Sequence, residues 1–183
     1  MKLLYVVVLA LVLATSTARA ERLRWYRGFY TRIGVRDSYG MQEPFHAWAA
    51  FAFGIGYRYD RERWGIDASA LNLQYDKEEG LHTAVRIVPY ASLTRWTKAE
   101  TWAGAGLSIG WLKGTVDQAI PKRKGDGLQA ELIAGGELPR EMRVRLFVQS
   151  TLTLPLYQLY DTNHSRDSTV YVYAFEIALG VRF

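Results

Sequence analysis

Apolar residues alternate with polar or small residues along most of this chain. The last segment shows the pattern best: every second position from Tyr171 to Phe183 is large and apolar, and the positions between them are mostly small or charged. Successive side chains of a β-strand point to opposite faces, so this period of two predicts a strand with one apolar face. Beyond residue 20, no apolar period of 3.6 residues is long enough to predict a helix.

Seven earlier segments show the same alternation: residues 25–36, 47–59, 64–75, 84–94, 101–112, 127–137 and 143–154. In the third of these the phase slips by one residue after Ala70, which predicts a β-bulge. The segments are longer than soluble strands, which usually have about 5 or 6 residues, and they match the roughly 9 to 11 residues that a tilted strand needs to cross a bilayer. The sequence therefore predicts an all-β fold, a closed antiparallel up-and-down eight-stranded transmembrane β-barrel.

The connections between these segments alternate in length, as an up-and-down barrel requires. Residues 37–46, 76–82, 113–126 and 158–168 form long polar links, and shorter links lie near residues 60–63, 95–100 and 138–142. An even number of strands places both chain ends on the side of the short turns, which is the periplasmic side of such barrels.

The second face of the predicted strands is rich in glycine and charge, which favours a membrane barrel. In such a barrel the apolar face meets lipid and the other face fills the lumen, whereas a soluble sheet would bury its apolar face. By parity, the charged residues that point into the lumen are Arg32, Arg58, Asp67, Arg86, Glu131, Arg145, Glu176 and Arg182. Buried ions need partners, so we expect ion pairs here.

Two features of this interior are predicted in detail. Arg145 and Glu176 lie on neighbouring strands and are expected to form an ion pair. If the turn at residues 95–100 aligns Thr94 with Trp102, then Gly106 lies opposite Tyr90 and Gly110 lies opposite Arg86, which leaves space for two long side chains.

Aromatic residues on the apolar face are expected to form two interfacial girdles. Near the short turns these residues are Trp25, Tyr57, Tyr59, Trp64 and Phe183, and near the long loops they are Trp111, Tyr171 and Tyr173. The alternative is that they are ordinary core residues and cross-strand pairs.

Residues 1–20 have the features of a cleavable signal peptide. An apolar run of about 12 residues follows Lys2, and Ala18-Arg19-Ala20 supplies the small-x-small cleavage pattern. Residues 21–183 would then form the barrel domain; the alternative is a retained membrane anchor. Cleavage removes two basic residues and leaves 21 against 18 acidic ones, a net charge of +3 that is too small to indicate nucleic-acid binding. The chain has no cysteine, which excludes disulfides, cysteine-ligated metals and lipid attachment at the cleavage site.

With its signal peptide, eight strands and C-terminal phenylalanine, the sequence resembles the small eight-stranded outer-membrane proteins of Gram-negative bacteria, the class of OmpX and the OmpA transmembrane domain. The resemblance implies a location in the outer membrane, among lipid and lipopolysaccharide. It also implies a C-terminal signal that the barrel assembly machinery reads during biogenesis, carried by Tyr173, Ile177, Leu179, Val181 and Phe183.

Some barrels of this size are enzymes that act on lipid A. The residues that could supply such chemistry lie in or near the long links: His46, His82, His164, Asp76, Ser165, Asp167 and Ser168. A nucleophile needs a base within hydrogen-bond reach and a third orienting group, and adjacent His164 and Ser165 side chains usually point apart. The three histidines also lack metal-ligand spacing. We therefore predict no catalytic, cofactor or metal site, and keep a lipid A-modifying enzyme as an alternative.

The predicted function is a structural or surface-interaction role through the extracellular loops. Lys122, Arg123 and Lys124 lie in the longest loop and could contact lipopolysaccharide phosphates by charge attraction. The other alternative is a secreted lipocalin-like barrel that binds a small apolar ligand; the glycine and charge of the predicted lumen argue against it.

Overall fold

A computed structural model describes most of the chain beyond the first 25 residues: residues 26–40, 46–61, 63–74, 80–95, 99–114, 123–138, 144–157, 160–161 and 172–183. The predicted signal peptide lies outside the described residues. The strands are β1 (Tyr26–Gly40), β2 (His46–Asp60), β3 (Trp64–Gln74), β4 (Gly80–Arg95), β5 (Glu100–Gly114), β6 (Arg123–Leu138), β7 (Arg145–Pro155), β8 (Tyr160–Asp161) and β9 (Val172–Arg182).

The strands close into a barrel in which every neighbouring pair is antiparallel. Each strand from β1 to β6 pairs with the next along the chain, and β9 closes the ring between β7 and β1. The two-residue β8 follows β7 along the chain and pairs with the start of β6, the strand that β7 also pairs with. It therefore extends the position of β7 in the barrel wall. With β7 and β8 counted as one position, the barrel has eight strands, which confirms the predicted fold class.

The wall is apolar outside and polar inside. Leu107 and Ile177 expose 53% and 42% of their surface, whereas Arg86 and Glu176 expose 0% and 1%. This polarity is stable when lipid surrounds the barrel, and it contradicts the lipocalin-like alternative, whose lumen would be apolar. Among the described residues, no helix is long and apolar enough to cross a membrane.

The predicted bulge in the third strand is present. Phe53 pairs with Leu73 and Ile55 pairs with Ala70, so this stretch of β3 contains one residue more than the stretch of β2 opposite it. The predicted long links were too long, because strands extend into them: β1 reaches Gly40, β4 begins at Gly80 and β6 begins at Arg123. The apolar alternation fades at these ends although the hydrogen-bonded ladder continues.

The predicted register of β4 and β5 is wrong by two residues. Trp102 lies opposite Ser92, Gly104 opposite Tyr90 and Ser108 opposite Arg86. One residue of the difference comes from the turn, where Thr94 pairs with Thr101 and Arg95 with Glu100, and the other comes from a register shift between Ser92 and Thr94.

Rings inside the barrel lie on glycines of the neighbouring strand. Trp102 is paired with Gly135 in the ladder, and a Cβ atom built on that glycine would lie 2.6 Å from the indole ring. Phe147 is paired with Gly180 in the same way, and its ring occupies the place of any Cβ there. These glycines let large rings lie flat against the inner wall, so a narrow lumen holds several of them.

Candidate functional site: the packed lumen

The structure buries all eight charged residues that parity assigned to the lumen. It adds Arg36, Glu100 and Glu137, which expose 1%, 7% and 3% of their surface, and the half-buried Asp60. These four are absent from the predicted set, although Arg36 and Glu137 have inward parity. The described lumen thus carries six arginines and six carboxylates, so its formal charges balance.

A basal layer of ion pairs lies at the short-turn end; we define it as Asp60, Glu100, Glu137, Arg145 and Arg182. The Glu137 carboxylate accepts from Arg145 at 2.7 Å and from Arg182 at 3.1 Å. Arg182 also pairs with Asp60, and Glu100 accepts a hydrogen bond of 2.8 Å from Ser92. Because the Glu137 carboxylate accepts from both arginines, the layer ties β6 to both β7 and β9.

Above the basal layer, Arg58 lies inside an aromatic cage. Its guanidinium carbon is 4.3 Å from the Trp102 ring centre and 4.9 Å from that of Phe147, with Tyr30 and Tyr90 both at 5.5 Å. A desolvated cation over an aromatic face is stabilised by about 2 kcal/mol or more. The cage therefore offsets part of the cost of burying Arg58.

Asp67 is the carboxylate shared by this central region. Arg58 donates to it at 3.0 Å, and Arg86 and the Tyr30 hydroxyl each donate at 2.9 Å. Gln149 accepts a further bond from Arg58 at 2.9 Å. Three donors from three other strands converge on one fully buried group, so Asp67 is the electrostatic centre of the lumen.

An upper network follows toward the loop end. Glu176 lies 3.5 Å from Arg32 and 3.7 Å from Arg36. Arg36 donates to the Thr153 hydroxyl at 2.9 Å, and that hydroxyl donates to Glu131 at 3.0 Å. Hydroxyl side chains thus relay between charged groups here, whereas the central region uses direct pairs.

An apolar cap closes the described lumen at the loop end. It consists of Leu81, Leu112, Val172 and Ala174, with Tyr157 packed against them. Gln129 donates to the Tyr157 hydroxyl at 3.1 Å, and burial raises the pKa of Tyr157 to about 12. Tyr157 follows the end of β7 and lies over Gly127, whose φ of 148° suits glycine. The cap separates the ionic interior from the loop end.

The predicted pair of Arg145 and Glu176 does not form. Arg145 lies opposite Arg182, and Glu176 lies opposite Thr151, six residues further along β7. That is about 20 Å along a strand. β7 and β9 are neighbours as expected, but Arg145 and Glu176 lie at different levels of the lumen and contact other residues there.

The residues considered for catalysis are not brought together within the described part of the chain. His82 faces outward and stacks on Trp111 with ring centres 5.2 Å apart. Only the backbone of His46 is described, at the start of β2. Outside the described residues lie Asp76, His164, Ser165, Asp167 and Ser168. Among the described residues, no group of three potential ligands could hold a metal ion.

Four of the five residues of the proposed C-terminal signal lie on the outer surface as half-exposed or exposed side chains of β9 and its end: Ile177, Leu179, Val181 and Phe183. Tyr173 stacks on Tyr39 with ring centres 5.4 Å apart, at the loop end. Of the basic run, Lys122 lies outside the described residues, and the backbones of Arg123 and Lys124 pair with β8.

No protein family and no curated protein matches the sequence. By fold, the chain is similar to Neisserial surface protein A, with a TM-score of 0.56 and 14% identity, covering 87% of this chain and 98% of that one. The outer-membrane protein OprG from Pseudomonas aeruginosa gives 0.47 and 10% over 85% and 95%. Ail of Yersinia pestis, solved with a heparin analogue, gives 0.46 and 14% over 85% and 99%. The fold, with its apolar exterior and ionic interior, is that of a small outer-membrane β-barrel.

Proposed function

We propose that this outer-membrane barrel is a non-enzymatic structural and surface-interaction protein, whose loops make the contacts. The observation that carries the proposal is the filled lumen: paired ions, rings and an apolar cap occupy the described interior from the basal layer to the loop end. An eight-stranded barrel is just wide enough for such side chains. The wall then serves as a rigid support for the segments that join the strands at the loop end.

Lipopolysaccharide is the proposed contact of Lys122, Arg123 and Lys124. The run stands where β6 begins, at the loop end of the barrel. Phosphate groups attract successive basic side chains, and arginine can bind them through two parallel hydrogen bonds. For biogenesis, we propose that the barrel assembly machinery reads the outward-facing C-terminal residues that end in Phe183.

The location of the protein and the filling of its lumen can be tested in one preparation. We expect the protein in the outer-membrane fraction with heat-modifiable gel mobility, and no stepwise conductance in planar bilayers. Lipid A from overexpressing cells should keep its mass, because the proposal includes no catalysis. Recovery as a soluble periplasmic protein, regular channel openings, or a changed lipid A acylation would each contradict the proposal.

The lipopolysaccharide contact needs a separate measurement. Replacing Lys122, Arg123 and Lys124 by alanine should weaken binding of the purified barrel to lipopolysaccharide by about tenfold, equivalent to about 1.4 kcal/mol. The matched control replaces Lys77, Lys113 and Arg166 by alanine, which removes the same charge from other loop-end positions. Equal weakening in both variants would show a general charge effect and reject the basic run as the contact.

A further inference from the structure

Charges outside the lumen are distributed unevenly between the two ends of the barrel. Nine basic and three acidic residues occur in the sequence segments that lead into β1 or join strands at the short-turn end, residues 21–27, 61–63, 95–99 and 138–144. Six basic and nine acidic residues occur in the sequence segments that join strands at the loop end, residues 37–46, 75–80, 113–126 and 156–171. Since the lumen is balanced, the excess positive charge belongs to the short-turn end, which therefore favours an anionic partner.

Three of these cations have described, exposed side chains: Arg27, Arg61 and Arg63. The Arg61 guanidinium lies 5.7 Å from the ring centre of Trp64, and Trp64 contacts Tyr59 with ring centres 6.2 Å apart. Tryptophan and tyrosine on a lipid-facing wall mark the level of lipid headgroups. The arginines thus stand at the height where phospholipid phosphates lie.

An apolar groove of about 520 Å³ runs along the outer wall from this level. Its floor is formed by Ala68 and Ala70 of β3, which lie between larger neighbours on both adjacent strands. The lipid-facing residues on its sides are Phe29, Ile55, Tyr57, Val85, Ile87 and Phe183. The groove has the shape and polarity to hold a flexible hydrocarbon chain against the wall.

The ladder connects the groove to the cations. Phe29 contacts Tyr57 at one end of the groove with ring centres 5.1 Å apart, and Arg27 is the next outward residue on β1, opposite Tyr59. One outward position corresponds to about 7 Å along a strand. A phosphate beside the arginines and an acyl chain in the groove would therefore belong to one molecule.

We propose that this surface binds one anionic phospholipid of the leaflet at the short-turn end. Its phosphate is held by Arg27, Arg61 and Arg63, and one acyl chain lies over Ala68 and Ala70. Guanidinium groups favour phosphate through charge-assisted hydrogen bonds, and a neutral chain gains contact area in the groove. The site is separate from the loops at the other end, so it goes beyond the proposed function and can fail independently of it.

The test uses native mass spectrometry of the full barrel released from mixed micelles of phosphatidylglycerol and phosphatidylcholine. The wild-type barrel should retain phosphatidylglycerol preferentially. Arg27→Ala, Arg61→Ala and Arg63→Ala combined should reduce that preference by about tenfold, the effect of about 1.4 kcal/mol. Ala68→Leu should reduce retention while leaving all three cations in place, and Ala70→Leu provides a second groove variant.

The matched control for the groove is Ala105→Leu, which enlarges an exposed alanine on β5 outside the groove; it should leave retention unchanged. Heat-modifiable mobility verifies that each variant is folded. Unchanged retention in either the arginine variant or the two groove variants would overturn the proposal, the second result leaving only general charge attraction. Full competition by glycerol phosphate would also overturn it, because that anion has no acyl chain.

Discussion

The lower half of the lumen, made of the basal layer and the groups around Asp67, binds its arginines differently from the upper half, which is the upper network toward the loop end. In the lower half, Arg58, Arg86 and Arg145 each have a carboxylate oxygen within 3.0 Å. In the upper half, Arg32 and Arg36 share Glu176 at 3.5 and 3.7 Å, and threonine, serine and glutamine side chains link the charged groups.

This difference shows two ways of burying cations in one narrow barrel. Short direct pairs and an aromatic cage make the lower half depend on a few groups, because the loss of one partner leaves a desolvated charge. In the upper half, rotatable hydroxyls can reorient toward a changed neighbour. We therefore expect equivalent substitutions to cost more in the lower half than in the upper half.

Asp67→Asn should have the largest effect. It removes the negative charge on which Arg58, Arg86 and Tyr30 converge, and breaking a buried pair in this way costs about 3–5 kcal/mol. The loss is measured by urea unfolding in phospholipid vesicles. Asp126→Asn, at an exposed carboxylate of β6, is the control and should change stability by no more than about 0.5 kcal/mol. Equal values for the two variants would contradict a central role of Asp67.

Trp102→Leu tests the aromatic cage. It removes the ring nearest to Arg58 and leaves a partly filled space, at a cost of about 2–4 kcal/mol in the same unfolding measurement. The control is Trp111→Leu on the outer wall, where the loss of the stack with His82 should cost about 1 kcal/mol. A larger loss at Trp111 would show that lipid contact, and not the cage, dominates.

Glu176→Gln is the upper-half counterpart of Asp67→Asn. The amide keeps the size of the side chain, and nearby hydroxyls can turn toward Arg32 and Arg36, so the expected loss is about 1–2 kcal/mol. A loss as large as that of Asp67→Asn would remove the distinction between the two halves.

Tyr157→Phe should have the smallest effect at neutral pH, about 1 kcal/mol for the hydrogen bond from Gln129. The raised pKa predicts a further difference in alkali. As pH rises from 10 toward 12, unfolded Tyr157 ionises while the folded group stays neutral, so the folded state loses stability. Phenylalanine cannot ionise, and the variant should therefore lack this part of the alkaline decline. Parallel pH profiles for the two proteins would contradict the buried position of Tyr157.

The sequence predicted the fold because alternation is a local property that lipid outside and a packed lumen impose on every strand. Parity alone placed Arg86 and Glu176 inside. The same signal was available for Arg36 and Glu137, which stand at the last positions of their predicted strands. Asp60 lay in a predicted link and was missed because the ladder continues beyond the apolar alternation.

Pairing inside the lumen could not be predicted in the same way. The height at which two side chains meet depends on register, and one extra residue near Ser92 changes the register of β4 and β5. Nor does parity reveal that Asp67 collects donors from three strands. Arg58 and Arg86 lie on the two strands next to Asp67 and Tyr30 lies one strand further, so these contacts depend on the register of β1 to β4 and on which neighbours are glycine.

The Phe147 ring fills the volume that any residue larger than glycine would need at position 180. Substitution at one position is therefore tied to the other: alanine at 180 becomes acceptable only after the ring at 147 shrinks. A nanopore engineered from this barrel would best begin at such a pair of ring and glycine, where truncation of a single ring opens a gap bordered by backbone without side chains.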